Sequence, residues 1–410
     1  MQTTAPFENG QTDMCDVISS VASDPTLPSS NRRQFLKVLG AAAAAGGLMA
    51  TGVGQALASP GGNDGLGRGG NGRTRLVLLG TGGGPTILDG DRSGISTAVV
   101  YGDRVYVVDL GIGSFLRLRQ SSASGAQGVA STWNNVRGIF FTHMHSDHLM
   151  DWPSAWVTGP INTSGRTGPR IEVFGPGDRG VLPRPNLRPG QPVPPVVNEN
   201  RPGPGITGMT EYLRQAWAND LNDRIRDSGY AGPDALFHVQ DIDISPYWTV
   251  DPLGKPPVLT APIPVWRDGD VTVTATLVDH HPTAPAFAFR FDTPDGSVTI
   301  SGDTTVSQNL IHLAQGTDYL VHEVIDPAFV DRLVAALPAQ AGAALKAHLL
   351  EAHTTIEQVG RDVAERAGAK NLVLTHLVPG NNPTSVWEQA RRGYSGRLIV
   401  GEDLMELRVG

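Results

Sequence analysis

Thr-His-Met-His-Ser-Asp-His, residues 142–148, places four side chains that can bind a metal ion within six positions. It follows V-R-G-I-F-F at 136–141, an apolar run typical of a buried strand. Four such side chains cannot all point one way from a strand or a helix, but a loop at a strand end can turn them toward two adjacent points. Imidazole nitrogens and carboxylates are the ligands that Zn(II) takes in hydrolytic sites that lack cysteine. The stretch therefore predicts a metal-binding loop rather than a polar turn with chance histidines.

This pattern, H-x-H-x-D-H after an apolar strand, resembles the signature of the metallo-β-lactamase superfamily of binuclear metal-dependent hydrolases. The resemblance implies an α/β fold, an αββα sandwich of two mixed β-sheets with helices on the outer faces. The segment L-G-T-G-G-G-P at 79–85 is similar to the opening loop of the ribonuclease Z and arylsulfatase-like branch. A nucleotide-binding loop would need a helix after its glycines. Strands are predicted instead at 92–101 and 104–108, which argues against that alternative.

Three later strand ends carry further residues of the kind that bind metal ions: D-H-H-P at 279–282, G-D-T at 302–304 and T-H at 375–376. The resemblance implies one metal bound by His143, His145 and His280, a second bound by Asp147, His148 and His376, and Asp303 as the bridge between them. His281 is the alternative to His280, and it could instead contact substrate. Two Zn(II) ions per chain are expected, with Mn or Fe as alternatives.

Two other residues indicate the branch of the superfamily. Glu323 ends a predicted strand, and His353 begins H-T-T before a predicted helix. In ribonuclease Z-like enzymes a matching glutamate and histidine form a proton relay to the leaving oxygen. The resemblance thus implies that His353 is the general acid, oriented and kept protonated by Glu323, while Asp147 both binds metal and orients the nucleophile. The alternative places His353 on the surface at a helix start. Asp109, at the end of another strand, is expected to support the metal loop without binding metal.

The N-terminal region predicts export. Paired arginines, Arg32 and Arg33, precede Phe-Leu-Lys and an Ala/Gly-rich apolar run at 38–56, which resembles a twin-arginine signal. The run is short and weakly hydrophobic for a membrane span, and A-L-A at 56–58 is typical of a signal-peptidase site. Residues 1–58 are therefore predicted to be a cleaved signal peptide, and an uncleaved anchor is the alternative. Export through the twin-arginine machinery to the periplasm or the medium, without stable membrane association afterwards, is expected.

The rest of the chain is predicted to be a Gly-rich tether at 59–73 followed by a hydrolase domain at 74–410, with a Pro-rich insertion around 178–268. The only cysteine, Cys15, precedes the predicted cleavage site, so the mature metal site has to consist of histidines and carboxylates. A helix is predicted at 210–226. Its apolar stripe is either core or the face of a lid or a dimerisation helix, and it contains Tyr212, Leu213, Trp217, Leu221 and Ile225.

Charge lowers the expectation of a nucleic-acid partner. The chain has 32 basic and 40 acidic residues and a net charge of −8, whereas nucleic-acid binders usually carry a basic face. Resemblance to ribonuclease Z would imply a tRNA-grasping arm, which in that family is typically an insertion in the metallohydrolase domain. The segment between His280 and Asp303 is too short for such an arm, and the Pro-rich insertion lacks the basic clusters that would bind RNA.

The function expected from these observations is hydrolysis of a small-molecule phosphodiester or aryl sulfate ester, by attack of a metal-bridging hydroxide. Four alternatives remain open: a lactonase, a broad esterase, a ribonuclease Z-like endonuclease, and a catalytically silent metal-binding module. A homodimer is also left open.

Overall fold

The computed structural model describes residues 73–85, 92–125, 130–185, 192–335 and 337–410. The predicted signal peptide at 1–58 and all of the predicted tether except Arg73 lie outside these residues. Among the described helices, none has both the length and the apolar character to cross a membrane.

Two seven-stranded β-sheets form the centre of the fold, and their strands are numbered in chain order. The first sheet has the order β14-β1-β2-β3-β4-β5-β6, and the second has the order β13-β12-β11-β10-β9-β8-β7. The strands are β1 (Thr74–Gly80), β2 (Ser96–Tyr101), β3 (Arg104–Val108), β4 (Val136–Phe140), β5 (Ile171–Pro176), β6 (Phe237–Ile242), β7 (Ile263–Asp268), β8 (Val271–Leu277), β9 (Phe287–Thr293), β10 (Gly296–Ile300), β11 (Tyr319–Ile325), β12 (Asn371–Val378), β13 (Arg397–Val400) and β14 (Glu406–Val409).

Both sheets are mixed, and they follow the same plan. In the first sheet the pairings from β14 to β3 are antiparallel and those from β3 to β6 are parallel. In the second sheet the pairings from β7 to β10 are antiparallel and those from β10 to β13 are parallel. Parallel strands present their carboxyl ends at one edge, so the loops that follow β3, β4, β10 and β11 can meet there.

Helices cover the outer face of each sheet. The helices are Ser114–Gln120, Ser146–Leu149, Trp152–Thr158, Ile206–Ala216, Ala218–Arg226, Gln308–Leu313, Pro327–Ala335, Ala339–Ala352, Ile356–Gln358, Glu365–Ala367 and Thr384–Trp387. Short 3-10 turns occur at Gly159–Asn162, Pro233–Ala235 and Glu388–Arg391, and Val359–Ala364 is a π-helical segment.

Three buried clusters separate the layers. The first lies between the sheets and joins residues such as Tyr106 and Phe140 of the first sheet to Phe289 and Phe291 of the second. The other two lie between each sheet and its helices, and they contain Trp152 and Trp387 respectively. This order of helix, sheet, sheet and helix confirms the predicted αββα sandwich.

The predicted helix at 210–226 was wrong in its bounds and continuity. Two helices, Ile206–Ala216 and Ala218–Arg226, meet at Trp217, whose backbone leaves the helical conformation with φ −101° and ψ 13°. The stripe was also not uniformly core, because Leu221 is buried whereas Tyr212 and Trp217 are exposed. Helical spacing places residues on one face of a continuous helix, and the break divides that face between two axes.

The segment at 178–268 belongs to the sandwich more closely than its Pro-rich composition predicts. Its strand β6 pairs with β5 at the edge of the first sheet. Its strand β7 pairs with β8 at the edge of the second sheet. The segment therefore supplies an edge strand to each sheet, and its irregular parts connect those strands.

Candidate metal centre

The loop after β4 is held in place by Asp109, which follows β3. Asp109 is buried and has a φ of 60°, and its carboxylate accepts hydrogen bonds of 2.8 Å from both the amide and the hydroxyl of Thr142. The same carboxylate lies 2.8 Å from Nδ1 of His148. An imidazole that donates Nδ1–H to a carboxylate presents its Nε2 lone pair elsewhere. Asp109 thus orients both the loop and one of its histidines.

His143, His145 and His280 form the first cluster, and their nearest ring nitrogens lie within 4.8 Å of one another. Nδ1 of His145 and Nε2 of His280 are 3.1 Å apart. The other nitrogen of each ring has a partner: Nε2 of His145 lies 2.7 Å from the Thr283 hydroxyl, and Nδ1 of His280 lies 2.8 Å from the carbonyl oxygen of Ala352. The outer contacts leave the two facing nitrogens available for a shared cation.

Asp147, His148, Asp303 and His376 form the second cluster. Nε2 of His376 lies 3.3 Å from Oδ2 of Asp147 and 3.3 Å from Oδ2 of Asp303. The other oxygen of Asp303 lies 3.3 Å from Nε2 of His148. Asp303 also reaches the first cluster, with Oδ2 at 3.9 Å from Nε2 of His280. Its buried carboxylate therefore lies between the two clusters.

The buried donor atoms fit two divalent cations. Nε2 of His143, Nε2 of His148 and Oδ1 of Asp303 are buried and have no hydrogen-bond partner among the described residues. Buried polar atoms in native proteins are normally paired, so a group of unpaired ones needs a ligand to satisfy them. These three atoms belong to a cluster of histidines and to a cluster of histidines and carboxylates. Such nitrogen and oxygen donors are the ligands that Zn(II) takes.

The pKa values of His143, His280 and Asp303 favour metal binding. Burial lowers the pKa of His280 to about 3 and, together with the charge of His148, holds the pKa of His143 well below its usual value. Burial would raise the pKa of Asp303, but His376 and His148 hold it well below its usual value. Neutral imidazoles and ionised carboxylates are the ligating forms. His148 differs, because burial would lower its pKa but the carboxylates of Asp303 and Asp109 raise it well above the usual value, so its ring has to release a proton when a cation binds.

His376 lies inside β12, whereas the sequence predicted that it would lie at the end of this strand. The register between β11 and β12 shifts after Glu323, and His376 has a φ of 44°. Such a bulge inserts one residue into a strand and redirects its side chain. The strand then continues to Val378. The bulge is what turns His376 toward the second cluster.

The glycine-rich loop after β1 closes over this bulge. The amide of Gly84 donates to Oδ2 of Asp147 at 3.1 Å. A methyl group on Gly83 would lie 2.4 Å from Nδ1 of His376. The loop therefore approaches the second cluster with its backbone, which only a residue without a side chain permits at Gly83.

Glu323 and His353 lie together beside Asp303. Oε1 of the buried Glu323 accepts the amide of Thr354 at 3.0 Å and lies 3.2 Å from Nδ1 of His353. That nitrogen is 3.9 Å from Oδ2 of Asp303. Burial alone would lower the pKa of His353, but the charge and hydrogen bond of Glu323 outweigh it and raise this pKa to about 9. The pair can therefore hold a proton at the edge of the metal centre.

Comparison with known proteins agrees with this geometry. The family described as the metallo-beta-lactamase superfamily matches residues 89–342. The chain belongs to this superfamily. A twin-arginine translocation signal matches residues 29–49, so the chain is a metallo-β-lactamase-fold hydrolase that carries an export signal.

Its relatives place the protein in the ribonuclease Z-like branch of the superfamily. A ribonuclease Z of Mycolicibacterium paratuberculosis is 30% identical over 338 residues, which cover 82% of this chain and 98% of that protein. A ribonuclease Z of Mycobacterium bovis is 27% identical over 337 residues, with the same coverage. Among solved structures, the short form of human tRNase Z is 17% identical, covers 82% of this chain and 99% of its own, and has a TM-score of 0.49.

His281 lies outside both clusters of this superfamily member. Its Nδ1 is 2.8 Å from Oδ1 of Asp279, and its Nε2 is 3.7 Å from Glu351. The neighbouring His280 is the residue that the structure brings to His143 and His145, as the sequence-based preference for His280 expected. Contact between His281 and a substrate stays a prediction.

Sequence reasoning missed three contacts that hold the ligands of this metallo-β-lactamase fold. They are the hydroxyl of Thr283 on His145, the carbonyl of Ala352 on His280, and the amide of Gly84 on Asp147. The first joins residues 138 positions apart, and the other two involve backbone atoms. The H-P-T order after His280 was the only available signal for Thr283.

Proposed function

We propose that this protein is an exported binuclear metallohydrolase that cleaves small-molecule phosphodiesters, with aryl sulfate esters as the second candidate substrate class. The observation that carries the proposal is that Asp303 joins two histidine and carboxylate clusters beside the Glu323–His353 pair. Zn(II) is the proposed metal, with Mn or Fe as alternatives. The proposed ligands are His143, His145 and His280 for one ion, and Asp147, His148 and His376 for the other, with Asp303 as bridge.

Two bound divalent cations would lower the pKa of a water molecule and stabilise negative charge on the attacked centre. The residues of the chain supply position and a proton. Asp147 is fixed by the amide of Gly84, so its carboxylate can accept a hydrogen bond from the nucleophile. His353 donates Nδ1–H to Glu323 and can protonate a leaving oxygen from Nε2. A proton is needed there because an alkoxide is a poor leaving group.

The net charge and the family both support the proposed substrate class. Both a phosphodiester and a sulfate ester present anionic oxygens to a pair of cations, whereas the branch relatives are ribonucleases that act on phosphodiesters by name. The chain has a net charge of −8, which disfavours a long polyanion as substrate. A small phosphodiester therefore fits better than tRNA, and a ribonuclease Z-like endonuclease is the alternative to exclude.

Activity can be tested on the purified mature protein by measuring metal content and hydrolysis of four substrates. These are bis(p-nitrophenyl) phosphate, p-nitrophenyl sulfate, a lactone and a precursor tRNA. Two metal ions per chain with preference for the phosphodiester are expected. Cleavage of precursor tRNA with higher kcat/KM than any small ester would favour the endonuclease. Two ions with no turnover of any ester would indicate a silent binding module.

The role of His353 has its own test. His353→Ala should lose about 100-fold or more in kcat while it retains both metal ions, since general acid catalysis contributes about 10²–10⁴-fold. His312→Ala is the matched control, because His312 is exposed and its side chain bonds only to Gln308 among the described residues. Loss of metal from His353→Ala would instead assign His353 to the ligands.

Export is proposed to proceed through the twin-arginine machinery, with cleavage after Ala58 and release to the periplasm or the medium without a membrane anchor. The proposed mature protein is a tether at 59–73 and a hydrolase domain at 74–410. Changing Arg32 and Arg33 to Lys should leave the protein inside the cell, as fractionation and immunoblotting would show. Unchanged export of that variant would contradict the proposal.

A further inference from the structure

Arg179 begins the loop that follows β5 and reaches toward the metal centre. Its side-chain stem packs on Gly203, where a methyl group would lie 2.5 Å from Cγ of Arg179. Its Nη2 donates to the carbonyl oxygen of Pro282 at 3.1 Å. These two contacts hold the stem on one side and the guanidinium on the other, so the side chain is positioned before any ligand binds.

The Pro282 carbonyl ties the guanidinium to the first metal cluster. Pro282 lies two residues after the ligand His280, and the amide of Thr283 donates to the carbonyl oxygen of His280 at 3.0 Å. The Thr283 hydroxyl contacts Nε2 of His145 at 2.7 Å. Arg179 therefore contacts the turn that contains His280 and that supports His145 through Thr283.

The charge of Arg179 is not neutralised by the described part of the chain. No described carboxylate forms an ion pair with Arg179. The adjacent Asp178 pairs with Arg201 instead, at 3.3 Å. Nε of Arg179 is buried and has no hydrogen-bond partner among the described residues. Burial lowers the pKa of Arg179, and no neighbouring charge offsets this effect.

Arg166 shows how this chain satisfies a half-buried guanidinium that has a structural role. Its Nη1 donates to the carbonyl oxygens of Asn134 and Val136 at 3.1 and 2.9 Å and to that of Trp133, and its Nη2 donates to the carbonyl oxygen of Pro169. Arg179 has one such carbonyl. A partly desolvated guanidinium with unused donors is the arrangement that binds a carboxylate or phosphate in a forked geometry.

We propose that Arg179 is a specificity-determining residue that binds a second anionic group of the substrate, beyond the ester that is cleaved. The inference rests on the proposed phosphodiesterase function. The preferred substrates of the protein would then be phosphodiesters that also carry a terminal phosphate. Anion binding would supply acceptors to the terminal NH₂ groups of the guanidinium, which bind only the Pro282 carbonyl among the described residues. The cation also attracts such substrates toward the histidine cluster.

The test compares two dinucleotides with the same scissile bond, thymidylyl-thymidine and its 5′-phosphorylated form. In the wild-type protein, KM should be roughly 10- to 100-fold lower for the phosphorylated substrate, the value of a charge-assisted hydrogen bond. Arg179→Met should reduce this ratio of KM values to about one. Arg179→Lys should retain part of it, because Lys keeps the charge and loses the fork.

Arg226→Met is the control, since Arg226 is an exposed arginine on the same insertion. It should keep the wild-type ratio. Equal KM values for the two dinucleotides in the wild-type protein, or the same ratio in Arg179→Met, would overturn the inference while turnover itself still supports the proposed function. If no ester is hydrolysed, the proposed function fails. The ratio of calorimetric Kd values for the same dinucleotides on the metal-loaded protein then decides the role of Arg179 separately.

Discussion

Replacing Asp109 with Asn tests whether this residue controls metal binding through hydrogen bonds alone. The amide of Thr142 is a fixed donor at 2.8 Å from Asp109, so the new side-chain oxygen has to accept it. The new NH₂ group then faces Nδ1 of His148, which lies 2.8 Å from the carboxylate in the native protein. Nδ1 must become an acceptor, and the ring proton moves to Nε2, the atom that faces Asp303.

The size of the effect follows from this change of tautomer. A proton on Nε2 of His148 competes directly with the cation of the second cluster, and loss of such an outer partner typically weakens metal binding 10- to 100-fold. The metal-free fold should lose about 1–3 kcal/mol, because Asn fills the same space and tolerates the φ of 60°, but the hydroxyl of Thr142 loses the carboxylate oxygen that accepts it. Metal content after dialysis against graded chelator, with thermal unfolding of the metal-free and metal-loaded proteins, measures both quantities.

Asp268→Asn provides the matched control. Asp268 is nearly buried and forms an ion pair of 2.9 Å with Arg137, away from the metal clusters. This variant should lower the unfolding temperature of the metal-free protein without changing metal affinity. If Asp109→Asn binds two ions as tightly as the wild type, the tautomer of His148 is not set by Asp109 and the reasoning is wrong.

Two further predictions concern the same centre. Glu323→Gln removes the charge that raises the pKa of His353 to about 9, so this pKa should fall. The decrease in kcat that accompanies deprotonation of His353 should then move to lower pH by about one unit or more. A pH–rate profile with an unchanged alkaline limb would contradict the assignment of His353 as the general acid. Gly83→Ala places a methyl group 2.4 Å from Nδ1 of His376, so it should weaken metal binding by about tenfold or more with little change in circular dichroism. Gly168→Ala is the control and should leave metal binding unchanged, because its methyl group would lie 3.5 Å from the nearest atom.

The positions of the proposed ligands could be predicted from the sequence because strand periodicity and strand order determine where they lie. The loop at 142–148 follows β4, and His280 and Asp303 follow β8 and β10, so each becomes visible as a polar residue after an apolar run. The resemblance supplied their assignment to two metals. The resemblance also supplied the sandwich of two mixed sheets, whereas the order of strands and helices alone predicted only a sheet with helices on its outer face.

Contacts that depend on tertiary packing could not be predicted. The carbonyl of Ala352 reaches His280 because the helix Ala339–Ala352 ends beside it, and any residue at position 352 would offer the same carbonyl. The break at Trp217 has no glycine or proline to mark it. The bulge at His376 is similarly unmarked, because its positive φ is imposed by pairing with β11 rather than by a residue type that favours it.

Because β14 pairs with β1, the first sheet cannot close until residues 406–409 have been synthesised. Arg75 and Glu406 form an ion pair although they are 331 residues apart in the chain. Until residues 406–409 emerge, β1 has an exposed edge that could pair with other chains. A nascent chain that lacks these residues cannot complete this sheet. Export of the protein after it has folded, as proposed through the twin-arginine machinery, is compatible with this requirement. Translation, sheet closure and export would then occur in that order.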